Sequence, residues 1–156
     1  VALVIDALVV SAIRYCIAVY GTCGRTQLDR IQKLLNFCAR VISGRRKYDH
    51  ISDVLKRLKW LRAGQLVKYH QLCMIKTVTD NNLPLDIAAM FSYVSTPHQT
   101  RQTGQLYCPR AKTCSGARRL AHGSASFNRL PVDVKCLRMN TFKHRLKQLL
   151  LLETGT

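Results

Sequence analysis

Apolar residues recur at helical spacing along much of this chain, and that period constrains its fold more than any other feature. The clearest stripe lies between Thr26, which we expect to cap a helix, and Gly44, which we expect to end it. Its members recur every three or four residues: Leu28, Ile31, Leu34, Leu35, Cys38, Val41 and Ile42. Such a stripe predicts an amphipathic helix that buries this face against a core.

Further helices follow from the same pattern. A long apolar run predicts a helix over residues 2–20, and shorter patterns predict helices over 52–58, 62–78 and 85–90. Ser52 is expected to cap the second of these helices, and Trp60 and Leu61 are interpreted as a buried corner after it. A last helix begins at Asn140 or Thr141. Its inward stripe is Phe142, Leu146, Leu149 and Leu150. Its outward face carries Lys143, His144, Arg145 and Lys147. The sequence therefore predicts a mainly α fold, a bundle of about five helices.

The composition changes late in the chain. Residues 92–126 are rich in Ser, Thr, Gly and Gln and contain no acid. Here we expect loops and a small β element, with short strands near 105–108 and 124–128. The chain is thus divided into three regions: a helical region over 1–91, a basic region of loops and short strands over 92–128, and amphipathic helices over 129–156 that pack back on the first region.

The charge balance points to a polyanionic partner. The 156 residues include 25 Lys and Arg against 8 Asp and Glu, for a formal net charge of +17, and 47% of the residues are hydrophobic. That hydrophobic content excludes a disordered tail, so the charge covers a folded core. A basic surface favours nucleic acid first and anionic membrane second, because neutralised phosphates release counterions.

The acids exclude several kinds of enzyme. Seven are Asp, the only Glu is Glu153, and no two are adjacent in sequence, so a two-metal carboxylate centre is not predicted. The chain also lacks a P-loop, GxGxxG and GxSxG. His70 lies on an apolar helix face, where it is interpreted as a core histidine. We therefore predict no catalytic residue and no cofactor in this chain.

Seven cysteines without a CxxC pair, in a chain without an Asn-x-Ser/Thr sequon, indicate reduced intracellular thiols, in the nucleus, the cytoplasm or both. The only candidate zinc ligands have gaps that fit no compact zinc spacing, so we predict no metal site. They are His98, Cys108, Cys114 and His122.

The first candidate binding site lies on and after the 26–44 helix. Arg30, Lys33 and Arg40 lie opposite its apolar stripe. The turn that follows contains Arg45, Arg46, Lys47 and Tyr48. Cations beside an aromatic ring suit a nucleic-acid backbone, since the ring can stack on a base while the cations contact phosphates. The alternative is a solvated helix end whose cations complement the helix dipole.

A second basic region follows in the acid-free segment. Its cations are Arg101, Arg110, Lys112, Arg118 and Arg119. This region is interpreted as a second backbone contact, and the alternative is a flexible solvated loop.

The N-terminal run raises two further questions. It begins at Val1 without an initiator Met, so we expect a fragment of a longer protein. Asp6 and Arg14 interrupt the run, and each costs about 2.5 to 3.5 kcal/mol near a bilayer centre, so a buried helix is favoured over a membrane span. No membrane partner is predicted, although basic helices also suit an anionic lipid surface. The sequence specifies no oligomeric state.

Several strings, taken in order, carry a family resemblance. They are Arg14-Tyr15-Cys16 with Gly21 downstream, Arg30-Ile31-Gln32-Lys33, Ala39-Arg40-Val41-Ile42-Ser43-Gly44, Asp49-His50-Ile51, Leu58-Lys59-Trp60-Leu61, Cys108-Pro109-Arg110, Phe127-Asn128-Arg129-Leu130-Pro131 and Phe142-Lys143-His144-Arg145-Leu146. This ordered set resembles the segment after the catalytic palm in reverse transcriptases of LINE-like, non-LTR retrotransposons of the jockey and chicken-repeat types. One departure is Phe127, which stands where the family has Trp.

The resemblance implies a thumb-like accessory region of a polymerase. The family's F/Y-x-D-D motif lies upstream of such a segment and is not in this chain, so the implied partners are an upstream palm and a template-primer of RNA, DNA or both. Two alternatives remain: a stand-alone basic module that binds RNA or DNA, and a structural piece whose apolar first helix packs on another domain.

Overall fold

The computed structural model describes residues 1–81, 84–95, 98 and 103–153, and this part of the chain is mainly helical. Clustering of neighbouring residues gives two compact units. Unit 1 contains Val1–Val67 and the chain from Lys147 onward, and unit 2 contains Lys68–Leu146. The three regions inferred from the sequence divide the chain by composition and stay a prediction.

Ten α-helices are present within the described residues. They are α1 (Ala2–Ile5), α2 (Ser11–Arg14), α3 (Ile17–Tyr20), α4 (Arg25–Ser43), α5 (Ser52–Arg57), α6 (Ala63–Asn81), α7 (Leu85–Ala88), α8 (Gly123–Asn128), α9 (Val132–Lys135) and α10 (Met139–Leu152). A wider π turn, Asp6–Val10, joins α1 to α2, and 3₁₀ turns occupy Gly116–Arg118 and Leu120–His122. The mainly α prediction is confirmed, while the count of about five helices is not.

The predicted single helix over residues 2–20 is wrong, because the chain breaks between α2 and α3. Tyr15 is extended (φ −60°, ψ 123°) and Cys16 is left-handed (φ 52°, ψ 19°). The Tyr20 hydroxyl donates a hydrogen bond to the carbonyl of Ile13, which lies in the last turn before the break. Periodicity alone does not reveal this break, since apolar residues continue through it.

Helix α4 ends where the sequence predicts and begins slightly earlier. Gly44 takes the left-handed conformation (φ 65°) that ends the helix, and the Arg45 amide donates to the Arg40 carbonyl at 3.1 Å. The predicted Thr26 cap is wrong, because the helix already begins at Arg25 after an extended Gly24. Similarly, Ser52 is the first residue of α5 and makes no side-chain cap.

The core of unit 1 draws on most of its helices. Trp60 and Leu61, the corner before α6, are buried as predicted. Two hydrogen bonds connect the start of α6 to α4 and α10: Gln32 Oε1 accepts from the Ala63 amide at 2.7 Å, and Gln65 donates to the Leu150 carbonyl at 2.7 Å. The other buried apolar residues of this unit include Val10, Ile13, Ile17, Leu35, Cys38, Ala39, Ile51, Val54, Leu55, Leu66, Val67 and Leu150.

The core of unit 2 is built around the middle of α6 and the first turns of α10. Its buried apolar residues are Leu72, Cys73, Ile75, Val78, Leu106, Phe127, Val134, Phe142 and Leu146. Lys76 is also buried there, with its ammonium donating to Asp80 Oδ1 at 2.9 Å and to the Lys135 carbonyl at 2.6 Å. Lys147, predicted to face outward, is only half-exposed.

The predicted small β element is not confirmed. Residues 124–128, expected as a strand, are helical in α8. Among the described residues β pairing is limited to one antiparallel bridge between Tyr93 and Leu106. The side chain of Asn128 occupies both backbone groups of Leu106, accepting from its amide at 3.0 Å and donating to its carbonyl at 2.8 Å. A side-chain amide therefore bonds the groups that a second strand would use.

Candidate nucleic-acid interface

Three predicted cations lie on one face of α4. At 3.6 residues per turn, Arg30, Lys33 and Arg40 fall within about 80° of the helix circumference. Arg30 and Lys33 are exposed, whereas Arg40 is half-buried and its Nη2 donates weakly to the Asp49 carbonyl at 3.5 Å. Arg40 therefore contacts the following turn, whereas Arg30 and Lys33 are exposed to solvent.

An aromatic residue that the sequence reasoning missed lies within the same arc. Phe37 is 62% exposed, four residues after Lys33 and three before Arg40. The prediction that Leu34 and Val41 lie in the buried stripe is wrong, since they are 43% and 47% exposed beside Phe37. The fully buried residues of α4 are Leu35, Cys38 and Ala39, so the buried stripe is narrower than the sequence pattern predicts.

The turn after Gly44 engages one of its predicted cations. Arg45 Nη1 and Nη2 donate to the two carboxylate oxygens of Asp53 at 2.9 and 2.5 Å, and Nη1 also donates to the His50 carbonyl. The hydrogen bond from Arg45 lowers the pKa of Asp53 below its ordinary value. Arg45 is therefore occupied within the protein, and its predicted contact with phosphate competes with this pair.

The rest of the turn is exposed. Asp49 Oδ2 accepts from the Arg46 amide at 2.9 Å, so this acid shapes the turn through the backbone. The side chains of Arg46 and Lys47 are exposed, and Tyr48 is 90% exposed, with Lys47 Nζ 5.6 Å from the ring centroid. A ring and an ammonium in this arrangement can stack on a base and contact its phosphate together.

We define the helix–turn surface as six selected exposed residues, the cations and rings on one face of α4 and in the turn after it: Arg30, Lys33, Phe37, Arg46, Lys47 and Tyr48. All six belong to unit 1. The surface combines four cations with two aromatic rings. Its composition suits backbone contact with base stacking, without an arrangement that reads base edges.

The second predicted region lies in unit 2. Arg110, Lys112, Arg118 and Arg119 are all exposed there, with Arg118 in the 3₁₀ turn Gly116–Arg118. Arg101 lies outside the described residues. We call the four described cations the loop surface.

Some described residues carry side chains that can ligate a metal ion or act as a nucleophile. Within the described part of the chain, no three His, Cys, Asp or Glu side chains come close enough to hold a metal ion. Of the four candidate zinc ligands, Cys108 and His122 do approach, with Sγ and Nδ1 3.7 Å apart. Burial raises the pKa of the Cys73 thiol to about 11, which makes it a poor nucleophile. His70 packs edge-to-face on the Tyr69 ring, with centroids 5.2 Å apart.

The helices in the described ranges include none with the length and apolar content that crossing a bilayer requires. Residues 2–20, where the sequence raised this question, form broken helical pieces.

Comparison of the chain with protein-family models, with curated proteins and with solved structures finds no match. The residues of the chain itself therefore carry the functional argument.

Proposed function

We propose that this chain is the non-catalytic, nucleic-acid-binding region that follows the palm of a non-LTR retrotransposon reverse transcriptase. On this proposal, the helix–turn surface grips the backbone of template-primer RNA or DNA in the nucleus or cytoplasm. The loop surface, predicted to include Arg101, supplies a second contact. Metal chemistry is left to the aspartates of an upstream palm.

The exposure pattern of the helix–turn surface carries this proposal. The two acids closest in the chain to the cations of the turn are already engaged, Asp49 by the Arg46 amide and Asp53 by Arg45, whereas Asp29 on α4 is exposed. Arg46 and Lys47 are exposed beside Tyr48. A surface with four exposed cations and two exposed rings favours a polyanion that also has flat bases.

The sequence strings that resemble the retrotransposon family support the more specific part of the proposal, that this chain follows a polymerase palm. Phe127 is buried, as expected of an aromatic plug that replaces Trp, and Lys135 Nζ lies 5.8 Å from its ring centroid. The neighbouring Asn128 clamps Leu106 through two hydrogen bonds. The Phe127–Pro131 string thus has a structural role, which supports its use as a family marker.

The salt dependence of binding tests the proposal. Binding of the chain to labelled single-stranded RNA, single-stranded DNA and an RNA–DNA hybrid is measured by fluorescence anisotropy over a range of KCl concentrations. Four phosphate contacts predict a log–log slope of about −3 to −4, with the shallower end for single strands. A slope near zero for every ligand would sink the proposal.

A matched pair of variants tests the surface itself. One variant changes Arg30, Lys33, Arg46 and Lys47 to Gln. The control changes four exposed cations elsewhere in unit 1 to Gln: Arg25, Lys56, Arg57 and Arg62. We expect the first variant to bind many different sequences much more weakly and with a much shallower salt slope. We expect the control to lose much less affinity and to keep most of the salt slope. Equal losses would show that net charge, and not this surface, drives binding.

A second candidate function rests on the N-terminal helices. Their exposed apolar side chains include Val1, Leu3, Val4, Leu8, Tyr15 and Val19. Such a patch favours the structural alternative, in which this segment packs on another domain. Sedimentation that shows a monomer at high concentration counts against that alternative. Palm aspartates encoded upstream of Val1 support the polymerase region, and a nearby start codon supports a stand-alone module.

A further inference from the structure

Cys108 and His122 form a pair of side chains that can exchange a proton, in unit 2 and apart from the helix–turn surface. Cys108 Sγ lies 3.7 Å from His122 Nδ1, within reach of a hydrogen bond to sulfur. Cys108 is exposed and His122 is half-buried. The thiol also lies 4.0 Å from the Pro109 carbonyl oxygen, but only the imidazole can accept and keep its proton. A thiol that solvent reaches therefore has a proton acceptor beside it.

A buried hydroxyl at the start of α8 holds the two halves of this pair together. Ser124 is fully buried, and its Oγ shares its proton between the Ala121 carbonyl at 2.7 Å and the Tyr107 carbonyl at 3.1 Å. Tyr107 directly precedes Cys108, and Ala121 directly precedes His122. One hydroxyl thus fixes the backbone next to both residues, although they are 14 positions apart in the chain.

The chain around the pair is basic. The four cations of the loop surface are exposed, and two of them follow Cys108 and two precede His122, each within four residues. Residues 92–126 contain no acid. A negatively charged reagent is therefore attracted to this part of the chain.

We propose that Cys108, with His122 as its proton acceptor, is a site of reversible mixed-disulfide formation with a small, acidic disulfide. His122 Nδ1 takes the thiol proton, and Cys108 Sγ attacks one sulfur of the reagent. A new S–S bond forms as the S–S bond of the reagent breaks, and the electron pair of the broken bond leaves on the second sulfur, which takes the proton from His122. Cys108 is oxidised, and half of the reagent is reduced to a thiol. The inference does not depend on nucleic-acid binding by either surface.

Cys114 provides an internal control for the effect of local charge. It is exposed and lies in the same acid-free segment, two residues after Lys112. The cations of the segment attract an acidic reagent to both thiols, whereas the 3.7 Å contact with His122 belongs to Cys108. A difference in rate between the two thiols therefore measures more than net charge.

The reduced chain is treated with glutathione disulfide at pH 7, and peptide mass spectrometry follows the modification of each cysteine. We expect Cys108 to react about tenfold faster than Cys114, because the thiolate is the nucleophile and His122 accepts its proton. His122→Gln keeps a polar side chain that cannot take the proton, so Cys108 should slow to the rate of Cys114. His144→Gln changes an exposed histidine of the same unit and should leave the rate of Cys108 unchanged. Urea unfolding of both variants checks that the fold is retained, and the comparison of the two thiols in the parent needs no variant.

A second variant tests the preference for an acidic reagent. Changing Arg110 and Lys112 together to Gln should slow the reaction of Cys108 with glutathione disulfide several-fold and should not slow its reaction with cystamine, a cationic disulfide. Equal slowing with both reagents would overturn the acidic class of reagent. Equal rates for Cys108 and Cys114 in the parent, or a disulfide between two cysteines of the protein in place of the mixed disulfide, would overturn the site. None of these results bears on the quadruple variant of the helix–turn surface, so the two proposals fail separately.

Discussion

Arg45 and Asp53 form a bidentate ion pair across the turn after α4. Arg45 Nη1 lies 2.9 Å from Asp53 Oδ1, and Arg45 Nη2 lies 2.5 Å from Asp53 Oδ2. The pair joins the residue after Gly44 to the first turn of α5, so it fixes the path of the turn that presents Arg46, Lys47 and Tyr48. Arg45, predicted as a nucleic-acid contact, therefore stabilises the turn that presents the other predicted contacts.

Asp53→Asn is expected to separate these two roles. The variant weakens the Arg45–Asp53 pair and releases Arg45, so affinity for single-stranded nucleic acid rises and the salt slope steepens by about 0.7. Stability falls only modestly, because an exposed ion pair is screened by solvent and contributes little to folding. Anisotropy and urea unfolding measure the two effects. Asp29→Asn removes an exposed acid from α4 itself and serves as the charge control. Equal gains in both variants would contradict a specific release of Arg45.

The pair also predicts a pH dependence. The hydrogen bond from Arg45 lowers the pKa of Asp53 below the ordinary value of 3.8. The contribution of this carboxylate to stability is therefore present above about pH 4 and is lost as the pH falls through the lower, folded-state pKa. Carboxyl NMR titration should place the Asp53 midpoint below the ordinary value of 3.8. An Asp53 midpoint at or above 3.8 would show that the pair does not form in solution.

Phe37 and Lys33 are expected to contribute in different ways to binding. Phe37→Ala removes a stacking ring, so single-stranded affinity falls by about 1–3 kcal/mol while the salt slope stays constant. Lys33→Gln removes one phosphate contact and makes the slope shallower by about 0.7 on a single strand. Salt titrations of the two variants by anisotropy separate these terms. A slope change in Phe37→Ala would mean that the ring holds the cations in place instead of stacking.

Two glycines in unit 1 are expected to respond oppositely to the same change. A Cβ on Gly21 would lie 2.3 Å from the Ile17 carbonyl oxygen and 2.4 Å from Val67 Cγ2, so Gly21→Ala should destabilise by about 1–3 kcal/mol. A Cβ on Gly64, near the start of α6, meets nothing within 4 Å. Gly64→Ala should therefore stabilise by about 0.4–1 kcal/mol. Urea unfolding measures both, and destabilisation of similar size in the two variants would contradict the close approach of Gly21 to Val67.

Lys76 is a buried cation with a structural role. Its side chain is 7% exposed and bridges Asp80 and the Lys135 carbonyl within unit 2. Lys76→Met keeps the volume but leaves that carbonyl without its donor, so stability should fall by about 1–3 kcal/mol in urea unfolding. Lys112→Met, at an exposed position of the same unit, should change it by less than about 0.5 kcal/mol. A Lys76→Met protein as stable as the parent would show that the bridge makes no net contribution.

The sequence indicates which basic residues lie together at the surface only where the signal is local. The clustering of Arg46, Lys47 and Tyr48 after a helix-ending glycine is visible in the sequence, and these residues are exposed. Phe37 lies four residues after Lys33 and three before Arg40, and this spacing alone places its ring on the same helix face as the two cations. The sequence prediction considered only the cations of this face and therefore did not include Phe37. The engagement of Arg45 depends on Asp53, and charge counting does not reveal which cations are already paired.

The sequence by itself determined the helical class, the end of α4 at Gly44, the buried corner at Trp60 and the inward stripe of α10. Each follows from a local cause, a 3.6-residue period or one backbone conformation. Only the tertiary structure decided which cations remain available and which segments pair. Asn128 replaces a β-strand partner for Leu106, and the Lys135 carbonyl engages the ammonium of Lys76. These outcomes depend on groups far apart in the chain, brought together by burial, which no local pattern encodes.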